Sequence, residues 1–242
     1  MIHYEQREHV ALLTIDRPER RNALDHAALD GLEDALARAT EAGSRALVLT
    51  GADGHFCSGA DLSGVEDTEF VQALNRVLAG LRDAPFPTIA AVDGFALGAG
   101  TQLAVACDLR VATPTSRFGI PAAKLGLMVD WWTVQRAASM CGQGTARAMF
   151  LTTEQLSGER AAQLGLVQRI GDLDVALAWA REIVALAPLT VQGLKLGLNL
   201  TESMAATPDA YAEAFRRAWS SEDLQEGLTA FRERRTPEFR GR

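Results

Sequence analysis

The chain has 242 residues, of which 48% are hydrophobic and 23% charged. A chain of this length buries most of its apolar surface without disulfide or metal staples, and its ordinary apolar content excludes disorder as the dominant state. Lys and Arg number 24 against 31 Asp and Glu, a net charge of -7, which argues against a nucleic-acid partner.

In chain order, the polar stretch Met1–Val10 is not the apolar core of a signal peptide. Val10–Ile15 is an apolar run stopped by Asp16-Arg17-Pro18 and predicts a strand. Asp25 is placed to cap a helix through about residue 42, with Leu29, Leu32, Leu36 and Ala39 on one face and Gly43 as its stop. Ala46–Thr50 predicts a second strand, followed by a Gly-rich loop to Gly59. Helical spacing returns over Thr68–Arg82 and ends before Pro85 and Pro87. Thr88–Val92 is a third strand, then come a glycine-punctuated turn, a short helix near Gly100–Cys107, and strands at Leu109–Ala112 and Arg117–Ile120.

From Trp131 the strand signal fades. Helical patterns cover about 131–140, 144–151, 158–164, 173–187, 190–199, 208–219 and 222–234, with Thr207-Pro208 and Ser221 as helix-start signals. The fold class expected is α/β, a core over 1–187 followed by a helical region over 188–242. Such a tail cannot cover its own apolar faces, so packing on other copies of the chain is expected. The most apolar stretch, Thr88–Leu109, carries Asp93, Gln102 and Asp108 and reads as buried core, not a membrane span. Cys57, Cys107 and Cys141 lie far apart with no metal-ligand spacing, which fits a reduced, cytoplasmic protein without a metal site.

Two segments carry the chemistry. The first, His55-Phe56-Cys57-Ser58-Gly59-Ala60-Asp61-Leu62, follows a buried strand and is small enough to let a ligand lie on the backbone. The second, Asp93 to Leu103, turns at Gly94 and Gly98 and opens a small-residue helix, whose free N–H groups carry roughly +0.5 charge and suit an oxyanion. Each alone is a common structural turn. Neither has the spacing of a dinucleotide fingerprint or a P-loop.

Together, with Arg17-Pro18-Glu19-Arg20-Arg21-Asn22-Ala23-Leu24, Ala106 to Ala112, Phe118-Gly119-Ile120-Pro121 and Phe231 to Phe239, they resemble the crotonase (enoyl-CoA hydratase/isomerase) superfamily over nearly the whole chain. The resemblance implies a ββα spiral core, C-terminal helices that mediate a homotrimer or a hexamer (dimer of trimers), and an acyl-CoA or enoyl-CoA ligand. CoA is part of that ligand, so no separate cofactor is implied. By motif match the thioester oxygen lies between the N–H groups of Ala60 and Ala99. The CoA end runs past Arg20, Arg21 and Ala23 and past Ser58, Gly59, Asp61 and Leu62, beside Gly98; Phe231 and Arg234 are the matching C-terminal contacts.

Family hydratases use two glutamates, and the matching positions here are Gln102 and Ala122. Loss of one such group costs about 100- to 10,000-fold, so ordinary hydration is not expected. Asp130 matches the position of an active-site aspartate in related isomerases and dehalogenases, with Trp131 and Trp132 beside it as either pocket wall or core. Its other reading is the cap of the helix starting at Trp131, and both stay open. Three functions follow: an enzyme working through an enolate with Asp130 as acid/base, a non-catalytic acyl-CoA-binding or delivery protein, or a residual hydratase. The chain is similar to actinobacterial members that carry a neutral residue at the first position and a Gly-Leu-x-x-Asp-x-Trp segment. Plainer roles are expected elsewhere: turn support for Asp61, solvation for Lys124, Glu66, Asp67 and Glu69, hydrogen bonding for Asp93 and Asp108, a surface loop for His55, and core packing for Cys57 and Cys107.

Overall fold

The computed structural model describes residues 1–61, 68–201 and 209–239. Leu62, Glu66, Asp67 and the Thr207-Pro208 pair lie outside them. Strands β1 (Ile2–Arg7) and β2 (Val10–Ile15) form an antiparallel pair. Strand β1 was not foreseen, because every second residue of it is polar and outward while Ile2 and Tyr4 pack on the core. Helix α1 (His26–Glu41) follows, capped as expected by Asp25, whose side chain accepts from the Ala28 N–H at 2.8 Å. Then come β3 (Ala46–Gly51), α2 (Thr68–Asp83), β4 (Thr88–Val92), β5 (Phe95–Leu97), α3 (Ala99–Ala106), β6 (Leu109–Ala112) and β7 (Arg117–Gly119). The later elements are α4 (Trp131–Leu151), β8 (Leu156–Ser157), α5 (Gly158–Gln163), β9 (Arg169–Ile170), α6 (Leu173–Val184), α7 (Pro188–Thr201), α8 (Asp209–Trp219) and α9 (Glu222–Glu233).

The strands divide between a sheet ordered β1-β2-β3-β4-β6-β9, parallel except at β1, and a smaller sheet β5-β7-β8. From β4 to β7 the strands alternate between the two: β4 passes into β5 and then α3, β6 into β7 and then α4. This is the ββα order of the expected spiral. Strand β4 is buried throughout, and β3 except at its last residue, as parallel strands covered on both faces are. Strands β5, β8 and β9, two or three residues each, are too short to leave a periodic signal. The separate patterns over 131–140 and 144–151 belong to one element broken at Gly142, whose φ of 79° no helix adopts.

Two buried cations tie the outer helices down. Arg110, buried at 2% exposure, donates to the carbonyls of Ala104, Cys107, Asp108 and Leu166, so it stands at the negative end of α3. Lys195 of α7 reaches Asp108 at 2.8 Å and the carbonyls of Leu81 and Phe86. While Lys195 faces inward, Leu189, Leu194, Leu196, Leu198 and Leu200 of the same helix are 60–81% exposed.

Candidate active site

The loop before α1 sets the first bend. Asn22, fully buried at φ 59°, accepts from the Arg17 N–H and donates its amide to the carbonyls of Ala52 and His55. Nothing in the sequence singled out this role, because only the folded loops bring residue 22 beside 52–55. The Ser58 N–H donates to Arg21, that of Leu24 to Gly59, and that of Asp61 to Leu24. Asp61 also pairs with Arg17 at 3.2 Å, which fits its expected turn-supporting role.

The second bend is stitched to the first. The N–H groups of Phe56 and Cys57 donate to the carbonyls of Asp93 and Phe95, and that of Leu97 donates to Cys57. Gly59 adopts φ 117° and Gly98 φ 54°, both in the region that favours glycine. The hydrogen bonds of this seam leave the amides of both alanines unused. Among the described residues, neither the Ala60 N–H nor the Ala99 N–H, the first of α3, has an acceptor.

Both alanines border a cavity of about 730 Å³. At its mouth are the exposed Arg20 and Arg21, with Phe231 and Arg234 from the end of α9, and Ala23, Ser58, Gly59 and Asp61 also line it. Its interior is largely apolar: Phe70 and Leu74 of α2, Leu127 and Val129 before α4, and Phe215 and Trp219 of α8. Gly98, Gln102, Ala122 and Asp130 line it as well. Phe215 and Trp219 were missed. They stack at 5.7 Å, and the Trp219 indole N–H donates to the Met128 carbonyl at 3.1 Å, so α8 of the same chain roofs the cavity. Their i,i+4 spacing was the available signal.

Trp131 and Trp132 require a correction. The structure does not put them in the wall. Trp132 packs on the core, with the Arg82 and Arg136 guanidinium carbons 5.6 and 5.9 Å from its ring centroid. As the first residues of α4, both turn aside from a cavity that Asp130 faces.

Asp130 is a helix cap. Its Oδ1 accepts from the Thr133 N–H at 2.9 Å, and its Oδ2 accepts from the Thr133 hydroxyl at 2.6 Å and the Gln102 amide at 2.9 Å. The Gln102 amide also donates to Thr133 Oγ1 at 3.0 Å. The capping reading therefore holds, and the carboxylate lies in the cavity wall at the same time. Burial pushes the Cys57 thiol up to about 12, which fits its expected core role. His55 stacks on Phe95 at 5.2 Å, outside the lining. No group of three or more possible metal ligands occurs among the described residues.

The fold and the paired bends define a crotonase-like α/β protein, and comparison with known proteins agrees. The chain belongs to the enoyl-CoA hydratase/isomerase family, whose model matches residues 5–242. It is 42% identical over 242 residues to the probable enoyl-CoA hydratase echA6 of Mycobacterium tuberculosis, covering 100% of both chains. It is 36% identical to the 2,3-dehydroadipyl-CoA hydratase of Escherichia coli, covering 98% of this chain and 97% of that one. Among solved structures, EchA1_1 from Mycobacterium paratuberculosis superposes with a TM-score of 0.87 at 35% identity, over 100% of this chain and 98% of that one.

Proposed function

We propose that the chain binds an acyl-CoA or enoyl-CoA thioester whose carbonyl oxygen accepts from the N–H groups of Ala60 and Ala99. The observation that carries this reading is that pair of amides, left without acceptors on adjoining bends of one cavity. Donors fixed in a site that excludes water are each worth roughly 3 kcal/mol when charge grows on the oxygen. The guanidinium groups of Arg20, Arg21 and Arg234 at the mouth suit the phosphates of CoA. CoA enters as part of the ligand, and no separate cofactor is needed.

Any chemistry runs through an enolate at the two amides, with Asp130 holding or delivering the proton at the acyl wall. Ordinary hydration is not the reaction, because Gln102 and Ala122 offer no carboxyl group for water or the α-carbon. Binding or delivery without turnover is the second reading. It is favoured by the three donors that already occupy the Asp130 oxygens. The exposed leucines of α7 support association with other copies of the chain, as a homotrimer or hexamer.

Calorimetry with acetyl-, crotonyl- and decanoyl-CoA, followed by mass spectrometry of each mixture, tests the reading. Heat is expected with the thioesters, and no rapid conversion of crotonyl-CoA to its hydrate. Absence of heat with every thioester sinks the binding site, and rapid hydration sinks the assignment at positions 102 and 122.

A further inference from the structure

We infer that Arg17 is a positioning residue: without touching the cavity, it aims the Ala60 N–H at the thioester oxygen. The inference rests on the two-amide reading above. Leu24 and Ala60 face each other in a one-residue parallel bridge, in which the Leu24 N–H donates to Gly59 at 2.8 Å and the Asp61 N–H donates to Leu24 at 2.7 Å. Peptide groups alternate sides along an extended segment, so a bridge bonded through residues 59 and 61 turns the N–H of residue 60 to the opposite side. Two hydrogen bonds and two small residues, one of them Gly59 at φ 117°, are all that this bridge has of its own.

Arg17 clamps both of its chains. Nη1 donates to the carbonyl of Ala23, next to Leu24, at 2.5 Å, and Nη2 reaches the carboxylate of Asp61, next to Ala60, at 3.2 Å. Nη2 also lies 2.9 Å from Asp25 Oδ2. The side chains of Arg17 and Asp61 are 16% and 12% exposed, so water screens little of their attraction. A guanidinium is a flat, rigid fork that fixes the spacing of two acceptors, where a lysine would supply one movable charge. Without it, the carboxylates of Asp25 and Asp61 face one another and repel. Asp25 is tied to α1 as its cap, so Asp61 is the one that moves, and the Ala60 peptide turns with it. Asp61 and Ala60 line the cavity and Arg17 does not, so Arg17 acts on a ligand only through them.

The test compares decanoyl-CoA with S-decyl-CoA, the thioether in which a methylene replaces the carbonyl, by calorimetry on the whole chain. The native protein is expected to bind the thioester about tenfold tighter, since only the thioester gives the two amides an acceptor. In Arg17→Met that advantage should fall below about threefold, with the thioether affinity kept within about twofold. An arginine that only held the loop folded would, when removed, weaken both ligands alike. A full thioester advantage in folded Arg17→Met, or equal weakening of the two ligands, overturns the inference. Should Arg17→Met fail to fold, Asp61→Ala removes the same contact, and an undiminished advantage there overturns it equally. Equal affinity of the native protein for thioester and thioether, or binding of neither, instead removes the underlying two-amide reading and the inference with it.

Discussion

Gly100 lies so close to the Cys57 carbonyl that a Cβ at position 100 would stand 2.1 Å from that oxygen. This approach brings the start of α3 against the first bend, and with it the two unpartnered amides to one cavity. Gly100→Ala forces the bends apart, and no flexible side chain is there to yield. We expect a loss of at least about 2 kcal/mol in urea denaturation, together with loss of acyl-CoA binding. Wild-type affinity in a folded Gly100→Ala protein would show that this contact does not set the site.

Asp130→Asn separates the two functional readings. Asn retains good capping ability, so the stability cost should stay within about 1 kcal/mol. If Asp130 transfers a proton, turnover falls about 100-fold or more while ligand still binds. A protein that only binds shows unchanged affinity and has no turnover to lose. Product formation by Asp130→Asn at the native rate would remove the aspartate from the chemistry.

Lys195→Met leaves Asp108 facing the interior without its cation. Breaking a buried pair of this kind costs about 3 kcal/mol, read as a lower denaturation midpoint. The same change frees α7 from the carbonyls of Leu81 and Phe86. An unmoved midpoint would mean that α7 is held by other contacts.

The thiols of Cys57 and Cys107 are fully buried, and burial raises both from 9.0 to about 12. Below pH 9 they are neutral in the folded and unfolded chain alike, and their contribution is complete. Between pH 9 and about 12 the unfolded thiols ionise first, so stability is lost as pH rises. Denaturation midpoints should therefore fall across that window more steeply in the native protein than in a Cys57→Ala, Cys107→Ala double variant. A thiol reagent at pH 8 should label neither cysteine until the chain unfolds, and prompt labelling of the native protein would refute the burial.

The leucine-rich face of α7 should make the protein sediment at three or six times its 26.0 kDa chain mass. Leu196→Glu with Leu200→Glu, one turn apart on α7, is expected to yield monomers. A native protein sedimenting at 26.0 kDa would show that the face stays bare.

The long elements were legible because their signals are local. Asp25 and Ser221 cap the helices they precede, and the apolar runs of β2, β3 and β4 are strands. Both bends and the mouth arginines were readable from motif order. What escaped was set by packing. The outward side chains of β1 hide its inward Ile2 and Tyr4, and Asn22 acquires its role only when two loops meet. Adjacency to Asp130 leaves wall and core both open for Trp131 and Trp132, because consecutive helix positions point in directions about 100° apart. Phe215 and Trp219 lie more than 80 positions beyond Asp130, and only the tertiary fold brings α8 over it.

The cleft draws its entrance, its seam of bends and its roof of Phe215 and Trp219 from a single polypeptide. We expect a copy inactivated at position 130 to leave a native companion beside it unimpaired. Blending the two in rising ratio should lower total output in simple proportion, with no dominant loss and no rescue between neighbours.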